Sequence, residues 1–417
     1  MLAHAPSDAP KPPRKDIRFL EFVLLGAALM AMNALSIDPM LPALPDIGRD
    51  LRITQPNDRQ LIISVYFIGL GIGSLVFGVL SDRFGRKPVL GTALALFILS
   101  TIACAVAPGF TLMLVGRACA GFFAGASRVI TISIVRDRHS GDAMARVMSL
   151  IMAIFMVVPV IAPAFGQVIL WFAPWRWIFW VLAAIAMPVL LWMVVRLPET
   201  LPSERRLALK PRIIGRTIAT VFTIRQSIGY MVASGIVTGG MIGFLVSVQQ
   251  IVFDVFDAGP LFPLVFALIA GGMGAGSLLN SRLVARFGAR PMSHAALAAL
   301  IAVAIVHMIV IKAGGENIAT FIGLMSLTLL TIAFTGANFS AIAMEPFSRG
   351  AGTASSFQAF LVTVLSALLG AAIGHAFDGT AMPLALGLLA SAVAALLVVL
   401  WAERGRLFTR PTVDMIG

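Results

Sequence analysis

The chain has 417 residues, 59% of them hydrophobic and only 12% charged. Ordinary soluble domains carry roughly twice that charged fraction, which excludes a water-soluble globular protein. The net charge of +12 is not gathered on one folded face, as a nucleic-acid surface requires. The chain has no Gly-x-x-x-x-Gly-Lys-Ser/Thr loop, no His-Glu-x-x-His and no nucleophile elbow. ATP hydrolysis and familiar hydrolytic chemistry therefore find no support, and neither a cofactor nor a metal is expected.

Residues 1–18 are polar and contain Pro6, Pro10, Pro12 and Pro13, which suits a short disordered tail. They lack the cleavage site of a signal peptide, so the first apolar run is expected to remain as a span. Runs long enough to cross ~30 Å of hydrocarbon as helices then follow at 19–42, 60–81, 88–107, 110–135, 147–171 and 175–197. A linker at 198–225 holds Pro198, Pro202, Pro211 and several basic residues. Six more runs follow it, at 226–251, 261–281, 291–312, 318–341, 352–376 and 380–402, and 403–417 is a second tail. The runs are continuously apolar rather than alternating, so they predict helices and not a barrel.

This organisation predicts an all-α integral membrane protein of two six-helix bundles, 19–197 and 226–402. A repeated phrase supports it. Residues 71–88 read GIGSLVFGVLSDRFGRKP and residues 274–291 read GAGSLLNSRLVARFGARP, identical at nine of eighteen positions. Repeated bundles of this kind place substrate at the interface between repeats. Placing both termini and the even-numbered loops in the cytoplasm leaves only Arg49, Arg52, Arg59, Arg176 and Lys312 outside, with Arg117 and Arg128 inside spans. All other Lys and Arg then lie on the cytoplasmic side, as the positive-inside rule requires.

Several segments resemble the major facilitator superfamily. Gly78-Val-Leu-Ser-Asp82-Arg83-Phe-Gly85-Arg86-Lys87-Pro is similar to the signature between its helices 2 and 3. The resemblance implies a cytoplasmic latch between the bundles, with Asp137 a partner for Arg86. The bland alternative is a basic loop that sets topology. Asp38-Pro-Met-Leu-Pro42-Ala-Leu-Pro45, Arg117-Ala-Cys-Ala-Gly121, Arg128, Arg136-Asp137, Pro159-Val-Ile-Ala-Pro163-Ala-Phe-Gly166 and Arg349-Gly-Ala-Gly352-Thr-Ala-Ser355 resemble the bicyclomycin/chloramphenicol-resistance subfamily of drug/proton antiporters. That likeness implies proton-driven efflux of small amphipathic compounds across a bacterial inner membrane. It also implies a helix 5 gate at Pro159, Pro163 and Gly166. The chain departs from the subfamily at Met40, Ser74, Phe77, Ala120, Ala162 and Gln167, so the cargo does not follow from the resemblance. A metabolite carrier with its arginines on an anionic substrate is the alternative. The expected partners are lipid, protons and a small molecule, with the chain acting as a monomer.

Within the spans, charge is rare and expensive unless paired or hydrated. Arg117 and Arg128, eleven residues apart on one helix, project within roughly 20° of each other and about 16 Å apart. That predicts a charged ladder on a hydrated face; the alternative is structural arginines bonded to carbonyls of neighbouring helices. Asp38 is the only acid well inside a predicted span. A carboxylate moving between dry and charged surroundings takes up and releases protons, so Asp38 with Arg117 is the simplest coupling element; the competing reading is an acid capping the helix beside Pro39. Asn33, Gln249 and Gln250 are candidate cavity-lining groups. Cys104, Cys119, His307 and His375 are expected to be structural, and the tryptophans form interfacial belts.

Overall fold

The computed structural model describes residues 17–206, 215, 219–347 and 351–408. Most of both tails, the centre of the linker, and Arg349 and Gly350 lie outside the described residues. Among the described residues twelve helices are long and apolar enough to cross a membrane, and no strand is present. They are α1 (Phe19–Leu35), α2 (Leu61–Phe84), α3 (Arg86–Ala105), α4 (Phe110–Arg138), α5 (Gly141–Phe172), α6 (Arg176–Arg196), α7 (Arg225–Gln250), α8 (Phe262–Phe287), α9 (Ala289–Lys312), α10 (Ile318–Met344), α11 (Ala351–His375) and α12 (Met382–Ala402). In hydrocarbon a helix satisfies its own backbone, which is why apolar runs of this length take that form. Twelve crossings return the chain to its starting face. That face, carrying Ile17 and Phe408, is called the near face below, and the opposite one the far face.

Helix α1 is shorter than the 19–42 run predicts. It stops at Leu35, and Asp38–Ala43 forms a tight 3-10 turn before a short helix at Leu44–Asp50. Pro39 and Pro42 carry no N–H and cannot continue an α-helical ladder. By contrast, α5 continues through both Pro159 and Pro163 as one helix.

The halves use the same packing plan. Helix α1 packs on α4, α5 and α6, α2 on α4, and α3 on α4 and α6; the pairs six helices later repeat this list. Glycines explain the closest crossing. Gly69 and Gly73 on α2 face Ala118 and Phe122 of α4, and a Cβ on Gly73 would sit 2.8 Å from the Phe122 carbonyl carbon. From the other side, a Cβ on Gly125 would lie 2.6 Å from the Ser74 amide nitrogen. Small residues spaced by four let two backbones meet in this way. At the offset of the repeat, Gly272 and Gly276 on α8 approach Ser326 and Leu330 of α10. The repeated Arg-Phe-Gly turns also match: Gly85 and Gly288 adopt φ of 101° and 88°, a region that only glycine occupies without strain. The halves meet along two symmetric seams, α2 with α11 and α5 with α8.

Candidate transport site

The turn after α1 carries Asp38 into the protein, where the residue is 5% exposed. Its backbone is held by α5, since a Cβ on Gly166 would fall 2.6 Å from the Pro39 carbonyl carbon. The close approach that Gly166 allows is made to the turn bearing Asp38, inside the first half, because breaking α1 leaves a compact bend that only glycine can approach. Helix α5 as a whole also lies on the seam with α8.

Arg117 is 1% exposed, so it does not stand on a hydrated face. Its Nε–H donates to the Ile62 carbonyl oxygen at 3.2 Å, and its guanidinium carbon lies 4.4 Å from the Tyr66 ring centre and 6.0 Å from that of Phe179. One terminal nitrogen has no partner among the described residues. No ion pair joins Arg117 to Asp38. The two charges instead both act on the hydroxyl of Tyr66, which lies beside Ser36. Sequence reasoning missed Tyr66. The available signal was rarity, since the chain has two tyrosines and both are fully buried.

Arg128 differs from Arg117 although the two share a helix face. It sits in mid-helix, and its side chain is exposed rather than sealed. The ladder therefore has one sealed rung and one open rung: α2 closes over α4 at Gly121, whose Cβ would meet the Tyr66 backbone.

Asn33 is half-buried and donates to the Met30 carbonyl at 3.4 Å, with its own oxygen unpartnered. Gln249 is fully buried with neither amide atom paired among the described residues. Gln250 is not free to meet cargo. It bonds to Gln60 and donates to Asn57 Oδ1 at 3.0 Å. Asn57 in turn donates to the carbonyls of His375 and Phe377 at 3.0 Å each, and Arg59 pairs with Asp254 at 2.8 Å. All these bonds cross between halves at the far face, so Gln250 belongs to a polar tie.

At the near face, Arg86 pairs with Asp82 at 2.6 Å and with Asp137 at 3.0 Å, and donates to Ser81 Oγ at 2.7 Å. Glu199, missed in the sequence, accepts from the backbone amides of Arg86 at 2.9 Å and Lys87 at 3.2 Å. Arg83 turns outward over the Phe84 ring. The charge pairs stay within the first half, and Glu199 ties that half to the start of the linker. The other half is met here through Gly78, whose Cβ would lie 3.2 Å from Ser356 Cβ. The second half has a counterpart in Arg290, paired with Glu345 at 2.8 Å and Glu403 at 2.9 Å. Its position in the second copy of the repeated phrase was the available clue.

Cys104 is buried as expected, but Cys119 is exposed on the opposite side of α4 from the core. His307 bonds to Glu316 at 2.8 Å. Among the described residues no three His, Cys, Asp or Glu side chains gather as metal ligands would.

Residues 23–371 match the family model of the Major Facilitator Superfamily. The MFS-type transporter YdgK of Bacillus subtilis is 31% identical over 375 residues, covering 88% of this chain and 91% of that protein. A bicyclomycin resistance protein homolog of Haemophilus influenzae is 28% identical over 382 residues, covering 87% and 91%. The crystal structure of a D-xylose–proton symporter superposes with a TM-score of 0.72 at 13% identity, covering 93% of this chain and 98% of that one, a likeness of fold alone. A six-helix plan used twice, with a family match running from α1 into α11, means that this chain is a membrane transporter of the Major Facilitator Superfamily and not an enzyme.

Proposed function

We propose that the protein exports small amphipathic compounds in exchange for protons entering the cell, working by alternating access. The observation that carries this reading is Asp38, a buried carboxylate with no ion pair among the described residues, within electrostatic reach of Tyr66. A charge so placed is costly, and binding a proton relieves that cost. The resemblance to a bicyclomycin resistance protein supports drug-like cargo. Buried polar atoms without partners at Asn33, Ser36, Tyr66, Arg117 and Gln249 supply groups that water or cargo would satisfy.

On the charge bias of the loops the near face is cytoplasmic, and the bacterial relatives favour a bacterial inner membrane. The far-face tie then seals the outside, and cargo enters from the cytoplasm. Both halves of the path come from one chain, so a monomer suffices. In this scheme the Arg86 and Arg290 clusters brace the near-face loops while α2 and α5 move against α11 and α8. The test is proton movement in inverted vesicles across an imposed pH gradient, with cationic, neutral and anionic compounds added. Wild type should release protons when a transported compound is supplied, and Asp38→Asn should abolish that release. Full coupling in the variant would reduce Asp38 to a structural acid.

A further inference from the structure

We infer that Arg128 is a recognition site for an anionic group on the cargo, a carboxylate or sulfonate. The inference rests on the transport reading above and names the substrate class carried along that same path. Three observations meet at this residue. First, Arg128 sits about ten residues from the near-face end of α4, which places it roughly 15 Å inside that end. Second, its side chain is exposed there. Third, no hydrogen bond or ion pair forms on its guanidinium among the described residues, and no charged side chain acts on it.

The buried and the paired arginines do not share this state. Arg117 is sealed against a carbonyl and two rings. Arg86 and Arg290 each hold two carboxylates. Arg196 holds Glu21, and Arg176 holds Asp50. A guanidinium at membrane depth with no internal counter-charge has all its donors available. It favours an oxyanion that presents two oxygens to its fork, so that two parallel bonds form.

The test compares two probes that share a ring system, 8-anilinonaphthalene-1-sulfonate and the uncharged N-phenyl-1-naphthylamine. Each is titrated by fluorescence into the full chain in phosphatidylcholine nanodiscs, with empty nanodiscs subtracted. No proton gradient is present, so cargo recognition is read whether or not protons are coupled. Wild type should bind the sulfonate more tightly than its neutral twin. Arg128→Gln should weaken the sulfonate at least about tenfold, the loss of one charge-assisted pair, and move the neutral probe less than about twofold. Arg128→Lys, which keeps the charge but not the fork, should retain much of the preference. Equal losses of both probes would make Arg128 structural. An unchanged sulfonate affinity in Arg128→Gln, or a wild type with no preference for the anion, would overturn the inference even if antiport holds.

Discussion

Tyr66 is within electrostatic reach of both Asp38 and Arg117. Its ring supports the Arg117 guanidinium. Tyr66→Phe keeps the ring and deletes the hydroxyl. Because that hydroxyl has no bonded partner among the described residues, we expect a stability loss of no more than about 1 kcal/mol. On the antiport reading the pH midpoint of compound-driven proton release should nevertheless move, because a buried hydroxyl within electrostatic reach of Asp38 is gone. Thermal unfolding in detergent and vesicle assays over a pH series check the two halves of this prediction; an unmoved midpoint would separate Tyr66 from coupling. Asp38 and both arginines were legible in the sequence because charge in an apolar run is conspicuous. The division between a sealed Arg117 and an open Arg128 was not. Helical periodicity gives direction around one axis, while burial depends on where α2 crosses α4.

At the scale of elements, the crossing of α2 and α4 is fixed by backbones in contact. A Cβ on Gly73 would meet backbone atoms of Phe122, which no side-chain rotation can relieve. Gly73→Ala should therefore cost about 1–3 kcal/mol, the usual range for overpacking a filled interface, read as a lower unfolding temperature in detergent. Gly271→Ala, where an added Cβ meets nothing within 4 Å, should leave that temperature unchanged. A Gly73 variant as stable as wild type would mean that the helices part without cost. The twelve spans and the repeat were readable from hydropathy and from the doubled phrase around Gly85 and Gly288. The break in α1 was the main misreading, since Pro39 and Pro42 end the helix whereas Pro159 and Pro163 do not. Proline chemistry alone does not distinguish those cases; the packing around each does.

For the whole molecule, the far-face tie holds the two halves in one relative position. Its members are distant in sequence, as with Gln60 and Gln250 or Arg59 and Asp254, and no local pattern announces such pairs. Arg59→Ala removes a partly exposed ion pair worth up to about 1 kcal/mol. That would shift the balance between conformers by about fivefold. Spin labels placed on either side of the tie should then report a larger population of long distances, and Gln250→Ala should act in the same direction. Unchanged distances in both variants would show that the seams α2–α11 and α5–α8 set the conformer without it. The solitude of Asp38 has one more consequence, a thermodynamic ceiling. On the antiport reading proposed above, a single exchangeable carboxyl would return one proton per cycle, so each pH unit across the membrane would sustain at most about a tenfold gradient of uncharged cargo, or about 1.4 kcal/mol. Each 100 mV of membrane potential adds about 2.3 kcal/mol. A cargo whose anionic head rests on Arg128 carries its own charge outward, and for it the same voltage counts twice.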